Sequence, residues 1–209
     1  MSAKSVSAIG FLTIEEDPQY GHCGGFLLLN TSGRPLEFHC TAPVKPNRAQ
    51  EVLYGPTLKP FLYGELIAQT LIERAKVDPV VVCSDVEFVL PLRSAISIPV
   101  TLVLPEASIQ RTSAEALDSK FPSSSLTESL DGQPRDSRRR VDATHNALAG
   151  PQYLHRFSCA GASLAVSREF ADDESSIRQR LEPHSSRLDL SEPFERIREA
   201  MREARGSGR

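Results

Sequence analysis

Residues 24–41 read GGFLLLNTSGRPLEFHCT, two apolar runs around a turn, and their reading decides the fold. In Asn30-Thr31-Ser32-Gly33 an Asn suits the first position of a type I turn. Gly33 suits the left-handed bulge position that follows it, so the stretch reads as a hairpin. A regular register from that turn puts Phe26 opposite Phe38 and Leu28 opposite Leu36 on one face. Leu27 and Leu29 are apolar on the other face as well. A strand apolar on both faces belongs in the middle of a covered sheet, not at an edge.

Working outward, residues 8–14 (AIGFLTI) form the preceding strand, and Glu15-Glu16-Asp17-Pro18 ends it. Downstream, Asn47 is placed to cap a helix, which Gly55-Pro56 interrupts. A second helix is expected over 60–76. There Tyr63, Leu66, Ile67, Thr70 and Leu71 follow i, i+3, i+4, i+7, i+8 spacing. Residues 79–84 (PVVVCS) are a continuous β-branched run, as in a buried parallel strand. Asp85 then caps a short helix over 86–94, which contains Pro91, and 98–104 (IPVTLVL) is the next strand. Strand, helix, strand implies a right-handed parallel crossover. The expected main domain, 1–106, is therefore α/β with a mixed sheet and the order β-β-β-α-β-α-β.

Composition changes after this point. Before residue 106 there are four Lys and four Arg against ten acids; from there on, one Lys and fifteen Arg against seventeen acids. Residues 107–150 carry scattered apolar residues without period, and read as a disordered linker or insertion. Residues 151–209 form a C-terminal module, a hairpin of 153–159 and 162–167 followed by two helices. Asp172 or Asp173 caps the first helix, which runs to Leu181. Ser191 caps the last, with Pro193 in its first turn. On that last helix Phe194, Ile197 and Met201 make a narrow apolar stripe, the expected partner-binding surface. It needs something to cover it. Either a partner does so, or the module packs back on the main sheet and completes the fold.

The chain has 209 residues, a formal charge of −3 and a pI near 6.0, which argues against a constitutive charge-driven nucleic-acid binder. Four cysteines do not make a disulfide framework. No apolar run approaches the roughly 20 residues that span a bilayer, and residues 1–16 contain no signal-peptide core. The expected compartment is the cytoplasm, without membrane association.

Some residues within 24–90 resemble a ribonuclease H core in chain order. They are Gly24-Gly25-Phe26-Leu27-Leu28-Leu29, Gly33-Arg34, Glu37-Phe38, Asn47-Arg48-Ala49-Gln50-Glu51 and Val82-Cys83-Ser84-Asp85-Val86-Glu87-Phe88-Val89. The resemblance implies a ribonuclease H-like fold. In that family, carboxylates from the first strand, the first helix and the end of the fourth strand hold two Mg²⁺ ions that cleave a phosphodiester. Asp85 matches the fourth-strand position. The helical carboxylate falls on Gln50 by ungapped counting, with Glu51 one place late and Glu65 as an alternative. For the first strand, Glu15, Glu16 and Asp17 lie only at the strand's end, and the family's Asp-Gly-Ser signature is absent. Asp17, Glu51 and Asp85 are the catalytic and Mg²⁺-binding set this resemblance implies.

His22-Cys23 and His39-Cys40 sit near the outer ends of one hairpin, so a Cys₂His₂ zinc site is the other metal reading. His39 and Cys40 point to opposite faces of a regular strand, which opposes it. Cys83 at a strand-to-helix turn reads as structural. Tyr54, Phe61 and Tyr63, around Gly55-Pro56, are either a partner surface or core. Arg138-Arg139-Arg140 is a short basic cluster flanked by Asp136 and Asp142.

Two functional classes follow. The first is a non-enzymatic interaction or regulatory protein, with a protein partner or self-association and no cofactor. The second is a metal-dependent ribonuclease H-like nuclease, which alone would need Mg²⁺ and nucleic acid.

Overall fold

The computed structural model describes residues 7–105 and 153–206. The linker expected over 107–150, with Arg138-Arg139-Arg140, lies outside them. Seven strands form one mixed sheet. In chain order they are β1 (Ala8–Asp17), β2 (Gly21–Asn30), β3 (Pro35–Cys40), β4 (Pro79–Ser84), β5 (Val100–Leu104), β6 (Leu154–Cys159) and β7 (Ala162–Ser167). The spatial order is β3-β2-β1-β4-β5-β7-β6. β1 pairs antiparallel with β2 and parallel with β4, and β4 pairs parallel with β5. β7 pairs antiparallel with β5, so the C-terminal hairpin lies in the same sheet.

The hairpin of β2 and β3 has the expected turn. Gly33 takes a φ of +76° and its N–H donates to Asn30 O, while Asn30 Oδ1 accepts from Ser32 and Arg34 N–H. Next to the turn Leu29 faces Pro35, but the register then shifts by one residue. Phe26 lies opposite His39 and Leu27 opposite Phe38, so the expected Phe26–Phe38 and Leu28–Leu36 pairs do not form. A bulge next to Pro35 accounts for the slip; Pro has no N–H to give a ladder. The consequence is chemical. Glu37 and His39 now share the face of Phe26 and Leu28, and Leu36 and Phe38 are each 38% exposed.

Side chains alternate across the sheet into two apolar layers. Leu12, Ile14, Phe26, Leu28 and Val82 face one side. There the covering elements are α1 (Arg48–Tyr54), α2 (Leu58–Pro60), a π-helical stretch (Phe61–Ala68), α3 (Gln69–Arg74) and a 3₁₀ segment (Glu87–Ser94). Ile9, Phe11, Leu27, Val81 and Cys83 face the other side, under α4 (Asp173–Leu181) and α5 (Glu192–Gly206). Two adjacent glycines allow both layers to approach β2. A Cβ on Gly24 would lie 2.3 Å from Ile67 Cγ2, and one on Gly25 2.3 Å from Ile197 Cγ2.

The helix expected over 60–76 is one helical path with a change of pitch. Its middle, Phe61–Ala68, is a π-helix, which turns more widely than an α-helix. Leu62, Tyr63 and Ile67 are buried, while Leu66, expected in the stripe, turns out to 40% exposure. Asn47 caps α1 in a reciprocal capping box with Gln50. Asp85 does not cap the segment after β4. Ser84 Oγ accepts from Val86 N–H instead, and no side chain caps Glu87–Ser94. Asp172 is the N-cap of α4 without a side-chain bond. Phe194, Ile197 and Met201 are buried on this chain's own sheet, with the Phe194 ring edge-on to Phe11 at 5.7 Å. They are therefore core residues and not a free partner surface.

Candidate functional site

The helical layer does not close completely over its end of the sheet. It leaves a cleft of about 460 Å³, a size suited to a small ligand or one or two side chains of a peptide. Gly64 sets one dimension. A Cβ there would meet Leu92 N and Pro91 Cβ at 3.3 Å, so the π-helical stretch rests directly on the 3₁₀ segment. Pro91 inside that segment and Phe88 beside it then face the cleft. The near wall is Tyr54, Pro60, Phe61 and Glu65; the far wall is Tyr153, Ser167, Glu169 and Phe170.

The lining is aromatic and acidic. Tyr54 and Phe61 stack with centroids 4.5 Å apart and an interplanar angle of 26°. Tyr153 Oη donates to Glu87 Oε1; burial and that carboxylate push the phenol pKa up, so the proton stays on Tyr153. Glu65 and Glu169 are exposed and have no hydrogen-bond or ion-pair partner among the described residues. Every charged side chain lining the cleft is a carboxylate. Arg93, which lies against the lining residue Phe170, is already held. Its Nε donates to Asp173 Oδ2 at 2.6 Å, its Nη1 to Ile96 O at 2.7 Å, and it lies 4.7 Å over the Phe170 ring.

The helix that carries Tyr54 adds two exposed apolar side chains. α1 has no buried residue, and Val52 and Leu53 are 66% and 81% exposed directly before Tyr54. Of the aromatics singled out in the sequence, Tyr54 and Phe61 thus line the cleft, while Tyr63 is buried. The far wall was not read from sequence. Gly64 of Tyr63-Gly64-Glu65 marks only where the helix meets the Glu87–Ser94 segment, and no local signal points to the far wall.

The carboxylates of the nuclease reading are not brought together. Asp85 lies at the end of β4 on the side of α5, and Arg198 donates to its Oδ2. The first-strand residue beside it is Thr13, because Leu12 pairs with Ser84. Arg198 Nη2 also reaches Thr13 Oγ1 at 3.4 Å, so one guanidinium lies against both. Asp17 is four residues farther along β1, roughly 13 Å at strand rise. It accepts from the N–H groups of Gln19 and Tyr20, which hold its carboxyl below the usual range. Glu51 stands on α1, in the layer covering the opposite face, paired with Arg48 at 3.1 Å. Gln50, where the family's helical carboxylate would fall, serves the capping box. Glu65 lines the cleft, Glu16 pairs with Lys59 and Glu15 with Arg205.

The zinc set is divided by the sheet. Cys23 lies in the layer of α5, and Cys40 pairs opposite Gly25 on that face. His22 and His39 point the other way. His22 Nδ1 shares a hydrogen bond with Tyr63 Oη at 2.9 Å, and His39 binds Glu37 at 2.9 Å. Among the described residues no group of three or more His, Cys, Asp or Glu is arranged to hold a metal ion. None of their helices is long and apolar enough to cross a membrane.

Compared with models of protein families, with curated proteins and with solved structures, the chain matches none.

Proposed function

We propose that this chain is a non-enzymatic interaction protein of the cytoplasm that binds a protein partner through the cleft and the exposed face of α1. One observation carries the reading: Val52 and Leu53 stand uncovered on a helix that buries nothing, and lead directly into an aromatic cleft. Exposed apolar surface continuous with a concave site is the common form of a binding surface. Four free cysteines, three of them buried, accord with a reducing compartment.

The scaffold reading goes with it. The order β3-β2-β1-β4-β5, with β1, β4 and β5 parallel, is the order expected of a ribonuclease H-like core, which supports that fold as a proposal. Fold does not fix activity. A second reading, the Mg²⁺-dependent nuclease, draws on Asp85, whose Oδ1 is buried without a hydrogen-bond partner. Against it stands the Arg198 guanidinium beside Asp85 and Thr13.

An NMR titration of the labelled full chain tests the two together. Capped heptapeptides of differing side-chain chemistry are added in one series and Mg²⁺ in another. Saturable shifts at Leu53, Tyr54, Phe88 and Tyr153 with peptide support the interaction reading. Saturable Mg²⁺ shifts at Thr13 and Asp85, with cleavage of an RNA–DNA duplex, overturn it.

A further inference from the structure

We infer that the cleft takes an arginine side chain of a peptide partner, an inference that rests on the interaction reading above. The argument is charge and ring chemistry. Glu65, Glu87 and Glu169 are the charged lining residues, and they are accompanied by the rings of Tyr54, Phe61 and Phe88. An anion entering here would meet three carboxylates and no cationic lining side chain, only the hydroxyls of residues such as Thr57, Ser94 and Ser167. A neutral apolar group would leave two unpaired carboxylates at its edge, Glu65 and Glu169. A cation fits both features, because ring faces attract cations and carboxylates accept their hydrogen bonds.

The choice of guanidinium over ammonium follows from shape. A guanidinium is planar, stacks on rings and offers a fork of donors to a carboxylate. The protein itself uses this combination at the rim. Arg93 lies over Phe170 and donates to both oxygens of Asp173, at 2.6 and 3.3 Å. That Arg93 is fully engaged, so it neither fills nor neutralises the cleft. A free amine would use the cleft alone. A peptide also uses the uncovered Val52 and Leu53, whose side chains suit aliphatic residues next to the arginine.

The test compares two capped heptapeptides, acetyl-GRLRLRG-amide and acetyl-GQLQLQG-amide, by calorimetry on the full chain at low salt. The arginine peptide is expected to bind about tenfold or more tighter. Glu65→Gln with Glu169→Gln should remove most of that preference, read as the ratio of the two peptides' affinities. Both positions are exposed, so an unchanged melting temperature verifies the fold. Equal affinity for the two peptides, with shifts at Tyr54 and Phe88, overturns the arginine inference and keeps the cleft as a binding site. Binding that Tyr54→Ala and the double Gln variant both leave intact overturns the inference and the reading beneath it. Failure of both peptides to bind at millimolar concentration also overturns the arginine inference, and the wider heptapeptide panel then decides the interaction reading separately.

Discussion

Arg198 of α5 donates to Asp85 at the end of β4, joining residues 113 apart in the chain. The side chains are 28% and 18% exposed, so the pair is only partly screened by water. Removing the guanidinium leaves Asp85 charged against the sheet with both oxygens poorly satisfied. Arg198→Ala is expected to cost about 2–3 kcal/mol of unfolding free energy. Asp85→Ala in the same background should restore part of that. Urea unfolding of the four proteins of the cycle measures the coupling. If Asp85 has metal affinity that Arg198 suppresses, Arg198→Ala will bind Mg²⁺ where the wild type does not, a separate calorimetric readout.

Gly24 and Gly25 give the second prediction. Their absent side chains are what allow Ile67 and Ile197 to touch β2 from opposite sides. Gly25→Ala puts a methyl 2.3 Å from Ile197 Cγ2 and 2.5 Å from Met201 Sδ. Met201 is pliant, but the β-branched Ile197 is not, so α5 must shift. A loss of about 1–3 kcal/mol is expected. The adjacent Gly24→Ala should cost a similar amount through Ile67 on the other layer. A melting temperature unchanged in both would mean that these layers are not packed on β2 as described.

Much of the architecture was legible because it depends on patterns that local sequence carries. The β2–β3 turn follows from Asn30 and Gly33, the cap of α1 from Asn47, and the parallel β4 from an unbroken Val80-Val81-Val82 run. The register of β3 was not legible, since a bulge beside Pro35 moves every later pair by one and leaves the residue types unchanged. Nor was the exposure of Leu66, which depends on a π-helical pitch that a 3.6-residue template does not contain. The site was least legible. Its far wall joins Tyr153 to Glu87 across 66 residues of sequence, with Glu169 farther on, and only the return of β6 and β7 to the sheet brings them together. The stripe of Phe194, Ile197 and Met201 was visible, but its cover was not, because an apolar stripe looks the same whether a sheet or a partner buries it.

His22 supplies a pH dependence. It is 8% exposed, and burial is the main cause that lowers its pKa, partly offset by Glu16; the Lys59 charge lowers it further. A lowered pKa in the folded state means the neutral ring is favoured there. The stabilisation is complete above the unfolded value near 6.5 and is lost as pH falls below it toward the folded value. Its partner Tyr63, with a phenol pKa pushed up to about 12, stays neutral throughout and does not titrate in this window. Glu37 and Glu174, whose pKa values are also lowered, take up protons only below about pH 4.5, and comparison with a His22 variant isolates the His22 contribution from the other groups. Melting curves between pH 7.5 and 5 should decline in wild type and less steeply in His22→Gln.

The cysteines should divide one against three. Cys40 is exposed on β3, whereas Cys23, Cys83 and Cys159 are buried. Burial pushes all three buried thiols up, Cys83 to about 12, so few are thiolate at neutral pH. Titration with an aromatic disulfide reagent at pH 8 is expected to release one equivalent rapidly and the other three only after unfolding in guanidinium. Cys40→Ser should abolish the rapid phase. Two rapid equivalents would place Cys23 in reach of solvent and contradict its position under α5.

Leu53 separates binding from stability most cleanly. At 81% exposure it contributes little burial to the fold, and α1 as a whole buries no residue. Leu53→Asp should therefore change unfolding free energy by no more than about 0.5 kcal/mol. For a peptide crossing α1 into the cleft the same change places a carboxylate on the apolar approach beside Tyr54. It removes the contact with aliphatic residues while adding one more negative charge near the arginine. The two effects have opposite signs, and salt resolves them, because Coulomb attraction is screened and apolar contact is not. At 0.5 M salt, binding of the arginine peptide to Leu53→Asp should fall well below wild type, while at low salt the deficit should shrink. A deficit equal at both salt concentrations would assign the role of α1 to shape alone. No deficit at either would remove α1 from the binding surface and confine recognition to the cleft.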